Sequence, residues 1–241
     1  MSVQTHPLKP RLQATIVASR EREHELMTMA DDSPPTEPGL WTVKDHLAHL
    51  TWWRMYAAEV LDAVRTGSEL PDVADDDDVQ NAEIYAANKD RSAEAIKTDA
   101  RASYDRLVAA IAAISEEDLI KPHPRYPGAA LLWQLVPGNG HYHLGQHLMF
   151  WHLEQGDEEA AEVSQQWVYD LDRAEFPDPK SVASSTYNMG CFYARVGRDD
   201  EALHWLKHAF DLDPGLKKIA RTDTDLVRIR NHTDFVALIG S

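Results

Sequence analysis

The residues of this chain that could carry chemistry are histidines. Among the twelve present, His143 and His147 stand four apart in the run Asn139-Gly140-His141-Tyr142-His143-Leu144-Gly145-Gln146-His147. On a helix, residues four apart project from one face, so these two imidazoles can bind one divalent ion together. Asn139, one turn earlier on the same predicted face, is placed to hydrogen-bond a bound water or substrate. His141 is offset by roughly 160 to 200 degrees at 3.6 residues per turn and is expected outside the site. His49 lies near the apolar stripe of an earlier helix, where a lone histidine is more often a satisfied core residue than a ligand. His46 and His152 read as surface or packing residues. Trp52, Trp53, Tyr56 and Trp133 could wall an apolar substrate pocket, although each taken singly reads as core filling.

The elements that must position these residues are helices. Apolar residues recur at helical spacing along nearly the whole chain and no run alternates as a half-buried strand does, so the expected class is all-α. A first helix is predicted from about Lys9 to Met29, stopped by Asp31-Asp32-Ser33-Pro34-Pro35. Thr42 can cap a second helix, with Asp45 completing a capping box and Gly67 ending it; Val43, Leu47, Leu50, Trp53, Ala57 and Leu61 form its apolar stripe. The aspartates at positions 75 to 78 read as a solvated loop, since contiguous carboxylates lack the alternate spacing of a calcium loop. Helix resumes from about Val79 to Ile114, with a fresh start near Ser92, and Ser115 opens a short capped turn. Pro122, Pro124, Pro127 and Gly128 enforce a connector. A fourth long helix is expected from near Ala129 to about Gln155, with a bend at Pro137-Gly138. Four such helices describe a bundle over residues 1–157, whose core can mount side chains from facing helices.

A different pattern fills residues 158–241. Met189-Gly190, Tyr193, Gly197, Ala202, Leu206, Ala209 and Pro214 fall at the offsets of a tetratricopeptide repeat, with small residues where two antiparallel helices touch and proline after the second. One unit is legible. Because a repeat cannot bury its apolar face alone, a structural or homodimer-forming module is expected rather than a peptide receptor. The segment from Asp223 to Asn231 and from Phe235 to Ile239 resembles the closing helices that follow such repeats.

Composition narrows the partners. Forty acidic against 24 basic residues give a net charge of −16, and no face gathers Lys and Arg, so neither nucleic acid nor an anionic membrane is expected. No apolar run approaches a membrane span, the start lacks a secretory core, and the single Cys191 cannot form an internal disulfide. A cytoplasmic protein acting on a small molecule is the expectation.

The stretch Trp41 to Trp53, followed much later by the histidine series ending in Gly145-Gln146-His147, resembles the DinB-like superfamily of four-helix bundles. The nearest group by resemblance is the ClbS/DfsB family, through Asp78-Val79-Gln80-Asn81-Ala82-Glu83-Ile84-Tyr85, Asn88, Arg91-Ser92 and Ser115 to Leu119. The similarity covers roughly residues 8 to 155. It implies that a histidine of the second helix, His49, and two of the last bundle helix hold a divalent metal. With Gly145-Gln146 as anchor, the family's ligand positions fall on 139 and 143, and position 139 here is asparagine. Either His147 supplies the third nitrogen, or the site is weak, or it takes an organic molecule without metal.

The resemblance implies a metal-assisted transferase or hydrolase of small electrophilic molecules, with a low-molecular-weight thiol as the accompanying nucleophile. Three imidazoles suit zinc, nickel, iron and copper, with zinc and nickel foremost. The alternatives are a resistance protein that sequesters a reactive natural product and an interaction protein that uses its tetratricopeptide-like tail.

Overall fold

The computed structural model describes residues 7–37, 39–126 and 130–240. The described residues contain helices and no strands, with one isolated β-bridge between Pro122 and Leu131. The chain divides into two compact units, Met1–His147 and Leu148–Ser241. The division falls inside a helix, at His147 rather than at Asp157.

The first unit is built on α1 (Leu8–Met29), α2 (Val43–Thr66) and α4 (Ala93–Ala113). Helix α1 buries Leu12, Thr15, Ile16, Ser19, Glu23, Leu26 and Met27, the three-and-four spacing that puts one stripe on a core. Helix α4 does the same with Ile96, Ala100, Tyr104, Leu107 and Ile111. Helix α2 packs along α4, and α1 packs against both. Its start is fixed locally. The Thr42 side chain accepts from the Asp45 amide, and the Asp45 carboxylate accepts from the Thr42 amide at 2.9 Å, so two of the free amides at the helix start are satisfied. Gly67, at φ 70°, ends it. Between α2 and α4 lies the shorter α3 (Asp77–Asn88), capped by Asp76; the aspartate run is thus partly the first turn of a helix. A short α5 (Glu116–Leu119) starts on Ser115.

The charged centre of this bundle is buried. Arg54 of α2 is fully buried and grips the equally buried Glu23 of α1 through Nη1 at 2.5 Å and Nη2 at 2.9 Å. Its Nε donates to Ser103 Oγ at 2.9 Å, and the Tyr104 hydroxyl donates to Glu23 at 3.0 Å. Three helices therefore share one hydrogen-bonded ion pair, every charged atom of which has a partner.

The last part of the unit departs from one continuous helix. A 3₁₀ turn (Leu132–Gln134) leads into α6 (Leu135–Asn139), the chain breaks at Gly140, and α7 (His141–Glu154) begins afresh. The interruption falls at Gly140 and not at Pro137-Gly138. A side chain at Gly140 would place its Cβ 2.9 Å from Ile16 Cδ1 and 2.9 Å from the Val136 carbonyl oxygen; the Ile16 methyl can turn aside but the backbone oxygen cannot, so the break itself requires glycine. The expected start at Ala129 lies outside the described residues.

In the second unit α8 (Glu158–Glu175) packs on α9 (Pro179–Val196), and α9 packs on α10 (Asp199–Leu212). Gly197, at φ 82°, ends α9. A Cβ on Gly190 would lie 2.7 Å from Leu206 Cγ, which is why the two helices can approach so closely there. Beyond α11 (Leu216–Ala220), the segment read as a closing helix is a 3₁₀ turn (Thr224–Leu226) followed by turns, and α12 (Thr233–Ile239) is the one α-helix among the described residues of that tail. Phe192, Leu206, Phe210 and Phe235 centre its core.

Removing one member of the Glu23–Arg54 pair leaves a buried charge unpaired. Arg54→Met is expected to cost about 3–5 kcal/mol in urea unfolding, whereas Glu23→Leu with Arg54→Met together should be near neutral. Equal losses in the single and double variants would show that packing, and not the uncompensated charge, sets the cost.

Candidate metal centre

Helices α2 and α7 bring the histidines together. His49 Nε2 and His143 Nε2 lie 2.8 Å apart, and one ring nitrogen from each of His49, His143 and His147 lies within 4.8 Å of the others. Ring centroids are 4.7 Å apart for His49 and His143, 4.8 Å for His49 and His147, and 4.9 Å for His143 and His147. His49 is buried, while His143 and His147 are half-buried.

His46, read from the sequence as surface or packing, is buried and belongs to the cluster. Its Nδ1 lies 2.6 Å from His147 Nδ1. The reason is the geometry of the helix start: His46 is the fourth helical residue after the cap, and Trp41 is the residue before the cap, the pair of positions that pack together as a staple. Their rings are 5.5 Å apart. Trp41 also stacks on His147 at 6.1 Å and approaches His49 at 5.0 Å. It thus covers the histidines from one side, and the staple spacing was the signal that could have assigned both residues. Trp53 contacts His49 at 6.3 Å and His143 at 6.4 Å, so a second indole borders the cluster.

Trp53 is also part of the wall of a cavity of about 320 Å³, together with Tyr56 and Asn139. Trp52 stacks on Tyr56 outside the lining, with ring centroids 5.6 Å apart, and Trp133 is half-buried and outside it as well. Asn139 does not continue the face of His143, because the break at Gly140 separates them; its side-chain amide donates to the Leu135 carbonyl at 2.9 Å, leaving its carbonyl oxygen as the open group. His141 is buried, and it is separated by the helix rotation from the His143 and His147 face. His123 and Arg125, from the connector, join Asp75 and Asp77 in the polar part of the cavity. Connector residues carry no helical period, so the sequence offered no signal for them.

The imidazoles are held neutral. Burial lowers His46 to about 4 against a smaller upward pull from Asp45. Burial, then the neighbouring His143 and His46, lowers His49 to about 2. Burial, then Arg54, lowers His143 to about 4, and His147 is driven well down by burial and then by its three histidine neighbours.

The sequence pattern of the DinB superfamily matches residues 20–155. The chain belongs to the DinB superfamily. No curated protein and no solved structure matches it.

The donor set fits the divalent ion that DinB membership suggests. Neutral imidazole is the ligating form, and burial keeps these rings neutral at pH 7. Two nitrogens bound at about 2.0–2.2 Å to one ion stand at most about 4.4 Å apart, and His49 and His143 are well within that at 2.8 Å. His49 Nδ1 is buried with no hydrogen-bond partner, so this ring is held by its Nε2 side alone. His46 supplies the outer contact: when the His147 Nδ1–H donates to His46 Nδ1, the Nε2 lone pair of His147 is free to ligate.

Burying neutral histidines also makes stability depend on pH. The folded-state values lie below the ordinary 6.5, so the unfolded chain takes up protons first. The associated stability is whole above pH 6.5 and is lost as pH falls towards 4, at no more than about 1.4 kcal/mol per pH unit for each histidine. Urea unfolding of the chelator-treated protein is expected to show this decline. A free energy that stays level across the window would mean that the rings are not held neutral by burial.

Proposed function

We propose that this chain is a metal-assisted transferase or hydrolase acting on small electrophilic molecules, with His49, His143 and His147 as ligands and the neighbouring cavity as the substrate site. The observation that carries it is the meeting of three neutral imidazoles from two helices beside a cavity walled in part by Trp53. A divalent ion, zinc or nickel first among the candidates, would act as a Lewis acid and lower the pKa of a water or thiol. The chain's own groups do the rest. His49, His143 and His147 provide the nitrogens, His46 sets the tautomer of His147, Trp41 and Trp53 keep bulk water from the rings, and Asn139 offers a carbonyl oxygen as acceptor on the cavity wall. A low-molecular-weight thiol is the nucleophile we infer, following the resemblance to thiol-dependent transferases.

The asparagine at position 139 favours a second reading, that of a resistance protein of the ClbS/DfsB kind. An amide in place of an imidazole binds a guest more readily than it ligates a metal, and such a protein would sequester a reactive natural product in the same cavity. For the tail we infer a single tetratricopeptide-type unit in α9 and α10, supported by the contact of Gly190 with Leu206 and by the burial of Ala202 and Ala209; its role would be structural or homodimer-forming.

Metal analysis of the purified protein is expected to return one ion per chain. Each of His49→Ala, His143→Ala and His147→Ala should remove most of the affinity, and His46→Ala should weaken it about 10–100-fold. Failure of zinc and nickel to bind, or retention of full affinity in any of the three ligand variants, sinks the three-histidine reading. Metal-dependent reaction of monochlorobimane with a small thiol then separates a transferase from a sequestering protein.

A further inference from the structure

We propose that the cavity beside the histidine cluster recognises a small aromatic monocarboxylate, with Arg125 and His123 as its anchors. The proposal rests on reading this cavity as the substrate site and adds the chemical class of what enters it.

Backbone hydrogen bonds tie together the described residues on either side of positions 127–129. The His123 amide donates to the Ala130 carbonyl at 2.9 Å, the Leu132 amide to the Lys121 carbonyl at 2.8 Å, and the Tyr126 amide to the His123 carbonyl at 3.2 Å. These bonds hold His123 and Arg125 on the cavity wall.

Arg125 lies over the Tyr56 ring, 5.9 Å from its centroid, but no carboxylate among the described residues lies within ion-pair distance of it. Its Nη2 donates to the Pro71 carbonyl at 2.6 Å, and its Nε is covered with no acceptor. The covered Nε is beyond a guest's reach, but the charge and the remaining Nη donors have no carboxylate partner among the described residues, and an anionic guest would supply one.

His123 adds a second donor. The backbone amide of Arg125 donates to His123 Nδ1 at 3.2 Å, so Nδ1 is the acceptor and the neutral ring carries its proton on Nε2. Burial, then Arg125, lowers its pKa, which keeps it in that neutral form. The cavity therefore pairs that guanidinium with an imidazole N–H.

The remaining wall selects among anions. Trp53 and Tyr56 present aromatic surface, suited to a planar ring. Asp75 and Asp77, exposed and also on the lining, repel a dianion more than a monoanion. A cavity of about 320 Å³ is at the small end of ligand sites, which suits one ring and its acid group.

The test is calorimetric titration of the full-length, chelator-treated protein with benzoate, benzamide and phenyl phosphate at about 0.15 M salt, which screens the chain's long-range negative field. Benzoate is expected to bind at least ten-fold more tightly than benzamide and more tightly than phenyl phosphate. Arg125→Gln should weaken benzoate about ten- to a hundred-fold, the range for a hydrogen bond to a charged group, with benzamide unchanged, and Arg125→Lys should fall between. Equal binding of benzoate and benzamide by the unaltered protein, or no binding of either, overturns the proposal without recourse to a variant. Tighter binding of phenyl phosphate overturns the monoanion selection. Because no metal is present, the outcome is independent of whether the three histidines ligate an ion.

Discussion

The arrangement of the first unit depends on one buried ion pair. Arg54 and Glu23 are both fully enclosed, and two such charges are tolerable only because Ser103 and Tyr104 satisfy what they do not satisfy in each other. The pair fixes the rotation of α2. With Arg54 turned towards α1 and α4, the residues roughly 140 degrees away around the helix, His49 among them, must face elsewhere. They face α7. The guanidinium also helps to hold His143 neutral, so the same group that sets the helix geometry biases the chemistry of the site. An apolar pair could hold three helices together as well, but it would specify their rotation less narrowly and would exert no field on the imidazoles.

The second constraint is desolvation. Four histidines crowd together between α2 and α7 with two indoles against them, and removing them from water disfavours their protonated forms. A cluster of this kind is costly for folding at low pH and useful at neutral pH, because a neutral imidazole is what a metal requires. The break at Gly140 serves the same end. It frees α7 to begin anew with its own rotation, so that His143 and His147 can turn to α2 while Asn139, on the other side of the break, lines the neighbouring cavity.

The cavity adjoins the histidine cluster. Trp53 borders the histidines on one side and the cavity on the other, so a guest held by Arg125 and His123 would have its ring near the indole that screens the cluster. The polar anchors come from a connector and the nitrogens from two helices. On the proposed reading, rigid elements would carry the ligating groups and the connector the residues that select the guest.

Much of this was legible in the residue order. The all-helical class, the Thr42–Asp45 capping box, the stop at Gly67 and the restart at Ser92 follow from local rules in which each residue acts on its own few neighbours. So does the shared face of His143 and His147, since four residues complete about one turn. What no local rule contains is the rotation of one helix relative to another. His46 is one turn from Leu50 on a stripe that reads as packing, and only the placement of α7 opposite α2 makes His147 its partner. The rupture falls at Gly140, where the Val136 carbonyl leaves no room for a Cβ, and not at the expected Pro137-Gly138. His123 and Arg125 lie in a segment without period, and their roles come from backbone hydrogen bonds across the connector. Which residues form helices and which faces are apolar follow from spacing along one chain. The tertiary structure alone decided which faces meet, because that depends on where the buried Arg54–Glu23 pair and the close contact at Gly140 lock the helices in rotation.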